Sequence, residues 1–265
     1  MDIARLLLQN FAIAAVLFLG LWQVAVRIRD PSFIDSLWAL GMVVIAWASF
    51  AFVGFHGAHA VLLTGLCTVW GLRLGLYLLW RWRKHGPDRR YVTMLGKAQT
   101  ERGWGYAKAT LLLVFALQLP LQFVVCLPIQ LGQLSAPDRP LGLLALMGGA
   151  LALIGILFET IGDAQLVRFK ANPANAGKVL QAGLWRYTRH PNYFGDACTW
   201  WGLYLIAAET GLGAWSLPCP ILLTFLLTSW SGAPTVEGRM RRKRPDYEAY
   251  VRRTSAFFPM APKKG

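Results

Sequence analysis

Apolar residues in this chain come in long blocks. They do not alternate as in strands, nor form the narrow stripe of a soluble amphipathic helix. Seven blocks are read as membrane-crossing helices, each of which needs about 20 mostly apolar residues: Ile3–Val26, Trp38–Phe55, Ala60–Trp80, Ala109–Leu131, Leu141–Phe158, Ala197–Ala208 and Leu212–Trp230. The sixth is short and is expected to be kinked, tilted or partly buried among its neighbours. The first has Asp2 where a signal peptide carries basic residues, runs too long and lacks a clear cleavage site, so it reads as a retained span.

Polar residues and turn formers set the predicted boundaries. Pro31 stops a continuous helix, Ser32 is placed to cap the next one, and Asp35 falls in its first turn, where the helix dipole favours a carboxylate. Pro120 and Pro128 should kink the fourth span. Gly148, Gly149, Ala152 and Gly155 give the fifth a small surface for close helix contact. That helix is predicted to run on past its apolar block to Lys170, ending at Asn172-Pro173 and Asn175-Ala176-Gly177.

Charge then orients the helices. The chain carries 27 Lys and Arg against 13 Asp and Glu, a net +14. All but three of the basic residues fall on alternate connections: 27–37, 81–108, 159–196 and the tail after Trp230. The intervening 56–59, 132–140 and 209–211 hold only Arg139. Cytoplasmic loops are enriched in Lys and Arg, so seven spans with the N-terminus outside and the C-terminus cytoplasmic satisfy every loop. The expected fold is an all-α integral membrane protein, a single domain over 1–265 with cytosolic loops capping a site. The positive charge needs no nucleic acid; topology and anionic lipid headgroups account for much of it. Cys67, Cys126, Cys198 and Cys219 have no C-x-x-C spacing and read as small buried residues. His56 and His59 have no carboxylate or cysteine beside them, so no metal site is expected.

The chemistry concentrates in Gly183-Leu184-Trp185-Arg186-Tyr187-Thr188-Arg189-His190-Pro191-Asn192-Tyr193-Phe194-Gly195-Asp196. Polar density of this kind is expensive in a membrane protein and marks a site. Lys170, Lys178, Arg186, Arg189 and His190 can neutralise phosphates, and Arg forks suit them bidentately. Asn192 and Asp196 suit amide, amine and hydroxyl groups. There is no G-x-G-x-x-G or P-loop and no nucleophile set. Deeper in the spans, Trp70, Arg73 and Tyr77 share one face of the third helix, which must look into the bundle or a wet cavity rather than into lipid. Asp35, at the mouth of the second span, could orient a carbonyl or relay a proton.

The motif, with Trp200-Trp201-Gly202 after it, resembles the DUF1295 family, which is related to the steroid 5-alpha-reductase C-terminal domain and to membrane sterol reductases. Asp163-x-Gln165…Phe169-Lys170, Asp88-x-Arg90-Tyr91 and Asp246-Tyr247-x-x-Tyr250…Phe257-Phe258-Pro259 carry the same resemblance over most of the chain. It implies a seven-helix enzyme that takes NADPH from the cytosol and delivers hydride to a conjugated double bond of a lipid reached from the bilayer. By that resemblance, 1–108 supplies the substrate and proton-donor spans and 159–260 the cofactor-binding half. Asp163, Lys170, Lys178, Asn192 and Asp196 fall where related reductases hold the cofactor, and Arg186, Tyr187, Arg189, His190 and Tyr193 of the motif are candidates beside them. Arg73 and Lys84 would approach its phosphates, and Glu237 and Arg241 would close the site from the tail. Steroid 5-alpha-reductases place a tyrosine one turn before Arg73, where this chain has Trp70, and only Asp35 loosely matches their acidic residue in the second span. The proton donor is therefore sought among Asp35, Tyr77 and Tyr91.

Two other readings stay open. Arg-His-Pro-x-Tyr-x-Gly also occurs in isoprenylcysteine carboxyl methyltransferases and related phospholipid methyltransferases, which use S-adenosylmethionine. A non-catalytic membrane scaffold or transporter would also explain the spans, although no internal repeat is present. The basic tail and the lack of a retention signal point to a bacterial inner membrane.

Overall fold

The computed structural model describes residues 1–54, 57–230 and 232–263; His56 and the end of the second predicted span at Phe55 lie outside the described residues. Those residues are helical, with no strand among them and one isolated bridge, Thr188 to Ser255. Six helical segments are long and apolar enough to cross a membrane: Ile3–Ile28, Ile34–Val53, Ala58–His85, Tyr106–Val125, Leu143–Ala171 and Leu212–Lys243. The predicted sixth span lies in a helix that starts earlier, at Pro191, and ends at Ala208. This helix is not among the six; the polar end of the Gly183–Asp196 motif forms its first turns.

The chain forms two compact units: Met1–Ala145 with Ile206–Cys219, and Leu146–Leu205 with Pro220–Gly265. In the first unit, α1 (Ile3–Ile28) starts where Asp2 accepts the Arg5 N–H at 2.8 Å, and ends at Arg29 in the left-handed region. Pro31 follows, as expected, but Ser32 does not cap α2 (Ile34–Val53). Its hydroxyl instead accepts the Asp88 N–H at 2.8 Å, while Asp30 accepts the Ser32 N–H and the Trp82 indole. The connection is thus fastened to the far end of α3 (Ala58–His85), a better use of a buried hydroxyl than a helix end already beside Asp35.

Packing of α2 on α3 depends on two glycines. A Cβ at Gly71 would strike Val43 and one at Gly75 would meet Leu40 at 2.5 Å, so the pair lets the backbones approach closely. At 28 residues, α3 is about 42 Å long. It outruns the ~30 Å hydrocarbon layer, and Arg81, Arg83, Lys84 and His85 occupy the excess.

A short helix, α4 (Arg89–Arg102), follows, capped by Asp88. The fourth span is broken: α5 (Tyr106–Thr110), a π turn over Leu111–Phe115, α6 (Ala116–Val125) and α7 (Leu127–Leu134). Pro120 sits inside α6 and Pro128 in the first turn of α7, where a missing N–H costs nothing. His59, buried at the start of α3, meets the Glu209 carboxylate at 2.7 Å, and that carboxylate also accepts the Gly142 and Ala145 N–H groups. The hydrogen bond from His59 holds Glu209 down at about 2. The carboxylate absent beside His59 in sequence is thus supplied from 150 residues away.

In the second unit, α8 (Leu143–Ala171) runs on past its apolar block as predicted. Its small-residue row meets α9 (Pro191–Ala208). A Cβ at Gly155 would lie 2.5 Å from the Gly195 carbonyl and the Thr199 amide, and one at Gly195 would lie 2.5 Å from the Glu159 amide. Gly202 faces Gly148 and Ala152 in the same way. Beyond α9 the unit holds α10 (Pro218–Phe225), a π turn to Trp230, α11 (Ala233–Lys243) and α12 (Tyr247–Arg253). All four cysteines are free thiols, three of them buried.

Candidate functional site

The second unit folds the polar motif against its own tail. Gly183 has φ +61, and any Cβ there would strike the Gln165 amide, whose oxygen accepts the Leu184 N–H at 2.9 Å. Only glycine meets both conditions. Trp185 then donates its indole N–H to the Gly162 carbonyl on α8 at 3.0 Å. The tail crosses the other side: Tyr250 donates to the Trp185 carbonyl, Thr188 to the Phe257 carbonyl, Arg189 N–H to Ser255 and Met260 N–H to Tyr187.

At the centre is Glu237, on α11. One oxygen accepts Arg189 Nε at 2.9 Å and faces His190 Nε2 at 3.0 Å. Arg189 further donates Nη1 to the Thr254 carbonyl at 2.8 Å, and the His190 ring stacks on Tyr193 at 5.3 Å. Burial acts to raise the Glu237 carboxyl, but the hydrogen bonds from His190 and Arg189 outweigh it and hold the group at about 2.

Beside this clasp lies a cavity of about 280 Å³. Lys170, Lys178, Arg189, His190 and Arg244 supply its basic groups, Asn172 and Asn175 its amides, and Phe169, Trp185, Tyr247 and Tyr250 its aromatic walls. Burial lifts the Tyr250 phenol and pushes that of Tyr247 up to about 12, so both line the cavity as uncharged rings.

Four predicted binding residues, Lys170, Lys178, Arg189 and His190, therefore line one cavity. Arg189 is occupied differently from expectation: its guanidinium is satisfied by Glu237 and tail carbonyls, which makes it a fastener first. Glu237 acts from behind it. Arg186 and Tyr187 are exposed and do not line the cavity, because the turn that seats Trp185 against α8 points its neighbours outward. Arg241 is also exposed, 3.0 Å from Glu248 and 3.9 Å from Glu237. Asn192 donates to Asp163 at 3.3 Å, pairing α9 with α8, and Asp163 and Asp196 are buried there with Glu159. Arg244, Asn172 and Asn175 were not anticipated. The polar run 170–178 carried a signal for the two amides; nothing local marked Arg244.

In the first unit, two of the three predicted proton donors meet. Tyr91 donates its hydroxyl to Asp35 Oδ1 at 2.6 Å, Arg90 Nη2 lies 2.6 Å from Oδ2, and Gln118 donates to the Tyr91 oxygen at 3.2 Å. Burial, then the Asp35 charge, drives the Tyr91 phenol well above its ordinary value. The two Asp35 oxygens thus tie α4 to the start of α2. Tyr77 stands elsewhere on α3, with Arg73 and Arg81 5.7 and 6.0 Å from its ring centre and Trp80 stacked on it. Lys84 lies 5.1 Å from the Trp80 ring. Among the described residues no cluster of three metal-ligating side chains occurs.

Helices of this length and apolarity define a helical integral membrane protein, with the cavity in one compact unit. Residues 21–254 match the family described as "Protein of unknown function (DUF1295)", and the chain belongs to that family. It is 23% identical over 271 residues to an uncharacterized protein of Schizosaccharomyces pombe, covering 90% of this chain and 75% of that one. No solved structure matches.

Proposed function

We propose that the protein is a membrane-bound reductase that uses NADPH to reduce a carbon–carbon double bond, conjugated to a carbonyl, in a steroid-like or other lipid. The observation that carries this reading is the cavity in which Lys170, Lys178 and Arg244 face aromatic walls. Cations beside neutral phenols and an indole suit a phosphorylated, ring-bearing ligand. At about 280 Å³ the cavity lies just below the ~300–1,000 Å³ usual for ligand sites, room for one end of a dinucleotide. S-adenosylmethionine has no phosphate, only one carboxylate, so the cations exceed what it requires.

When bound, the nicotinamide supplies the hydride. Lys170, Lys178 and Arg244 bind and orient its phosphate-bearing end, and the Glu237 clasp keeps the cavity wall in place. Asp35, Tyr77 and Tyr91 remain the candidates for the proton donor. Asp35, Arg90 and Tyr91 position α4. In this reading Gly183–Asp196 faces the cytosol of a bacterial inner membrane, the N-terminus lies outside, and α9 completes seven crossings.

The test is thermal unfolding of detergent-solubilised protein with NADPH, NADH or S-adenosylmethionine. A ligand at about 100 times its dissociation constant stabilises the folded state by about 2.7 kcal/mol. NADPH is expected to raise the melting temperature, and Lys170→Ala with Lys178→Ala to remove its advantage over NADH. A shift with S-adenosylmethionine alone would make the protein a methyltransferase. No shift with any of the three would return it to the non-catalytic class.

A further inference from the structure

The tail that crosses the polar motif leaves an apolar patch open on the second unit. Phe258, Met260 and Tyr187 are 67%, 62% and 44% exposed. Met260 and Tyr187 stand together because the Met260 N–H donates to the Tyr187 carbonyl at 3.0 Å. The Phe258 ring meets those of Phe257 and Phe194 edge-on, 5.4 and 6.1 Å between centres, and the rest of it is bare. None of the three side chains lines the cavity or takes part in the Glu237 clasp.

The neighbours of the patch indicate what covers it. Phe194 also meets Phe158 of α8 edge-on, at 5.3 Å. On the surface of that helix Phe158 lies between Ile154 and Ile161, which are exposed, as are Leu153 and Leu157 beside them. Bare aliphatic residues at helical spacing, in a helix apolar enough to cross a membrane, form the face turned to acyl chains. From Leu143 to Ile161 α8 advances about 27 Å, close to the ~30 Å thickness of the hydrocarbon layer. Phe158 and the rings stacked outward from it therefore continue the acyl-facing stripe at the level where it ends. Cations surround the patch: Arg186 precedes Tyr187, Arg252 and Arg253 precede the tail, and the Lys263 N–H returns to the Arg253 carbonyl at 2.9 Å. Apolar side chains ringed by Lys and Arg suit an anionic headgroup layer. The described tail has no helix after Arg253, and non-helical backbone is not tolerated in hydrocarbon, which sets the patch at the boundary and not deeper.

We propose that the tail from Phe257 to Lys263 docks on the surface of an anionic bilayer. Tyr187, Phe258 and Met260 enter the boundary between headgroups and acyl chains, and Arg186, Arg252, Arg253 and Lys263 face the lipid phosphates. The segment that brings Tyr247 and Tyr250 to the cavity is then held from two sides, by the Glu237 clasp and by the membrane. This docking requires no cofactor, so it stands or falls apart from the reductase reading.

Spin labels at Phe258→Cys and Met260→Cys test it, in full-length protein reconstituted into liposomes of phosphatidylcholine with phosphatidylglycerol. Both side chains are mostly exposed, so the substitutions disturb little packing, and wild-type protein labelled in parallel corrects for reaction at Cys198. Oxygen concentrates in acyl chains and a neutral nickel chelate in water. Both labels are expected to be relaxed several-fold more by oxygen than by the chelate, and this excess should shrink when phosphatidylglycerol is left out. Relaxation by the chelate that equals or exceeds that by oxygen at both positions would overturn the proposal. An excess indifferent to phosphatidylglycerol would overturn the pairing with anionic headgroups. Shielding of both labels from both reagents, with spin–spin coupling between copies, would also overturn it and place a second copy of the chain on the patch.

Discussion

Replacing Glu237 by Gln tests what holds the tail on the motif. The carboxylate is 14% exposed and serves Arg189 and His190, which are 11% and 4% exposed. The neutral amide keeps the shape and removes the charge, leaving a mostly buried guanidinium with carbonyl partners alone. A carboxyl held at about 2 instead of 4.5 would correspond to about 3 kcal/mol if wholly sequestered. Partial contact with water reduces this to about 1–2 kcal/mol. Because the folded value is depressed, this contribution is complete above about pH 4.5 and is lost as pH falls toward 2. The loss is local, since the same clasp anchors Thr254 and Ser255. Limited trypsin digestion in micelles at neutral pH should therefore cut after Arg252 and Arg253 about tenfold faster in Glu237→Gln than in wild type. Acidifying wild type through the window below pH 4.5 should mimic the substitution when read by an acid-active protease. Glu248→Gln is the control, because its pair with Arg241 is half-exposed on both sides and contributes little. Equal cleavage of the two variants would refute the clasp.

Two further outcomes follow from the same geometry. Gly195→Val places a Cβ 2.5 Å from the Glu159 amide and 2.6 Å from the Gly155 carbonyl, backbone that cannot yield; a loss above the usual ~1–3 kcal/mol of overpacking is expected, seen as aggregation in size-exclusion chromatography. Asp35→Asn should cost about 1–2 kcal/mol in thermal unfolding, discounted for the partial exposure of Asp35 and Arg90. It should also let the Tyr91 phenol ionise at lower pH than in wild type, followed by absorbance titration with Tyr91→Phe as the blank.

The same helices show where local reading ends. Chain order by itself determined the apolar helices, the run of α8 beyond its block, the stop at Asn172-Pro173 and the polar motif as a place of interest. Hydropathy, proline and capping act within a few residues, so they are visible in sequence. The small face of α8 was legible too, because close helix contact requires small residues at a helical period. What each polar group does was decided only by tertiary structure. The partner of Arg189 is Glu237, 48 residues on, and that of Asp35 is Arg90, 55 residues on, and neither pairing is visible in the local sequence. A hydrogen bond or ion pair is set by distances of about 3 Å, and across the chain only the fold sets those distances.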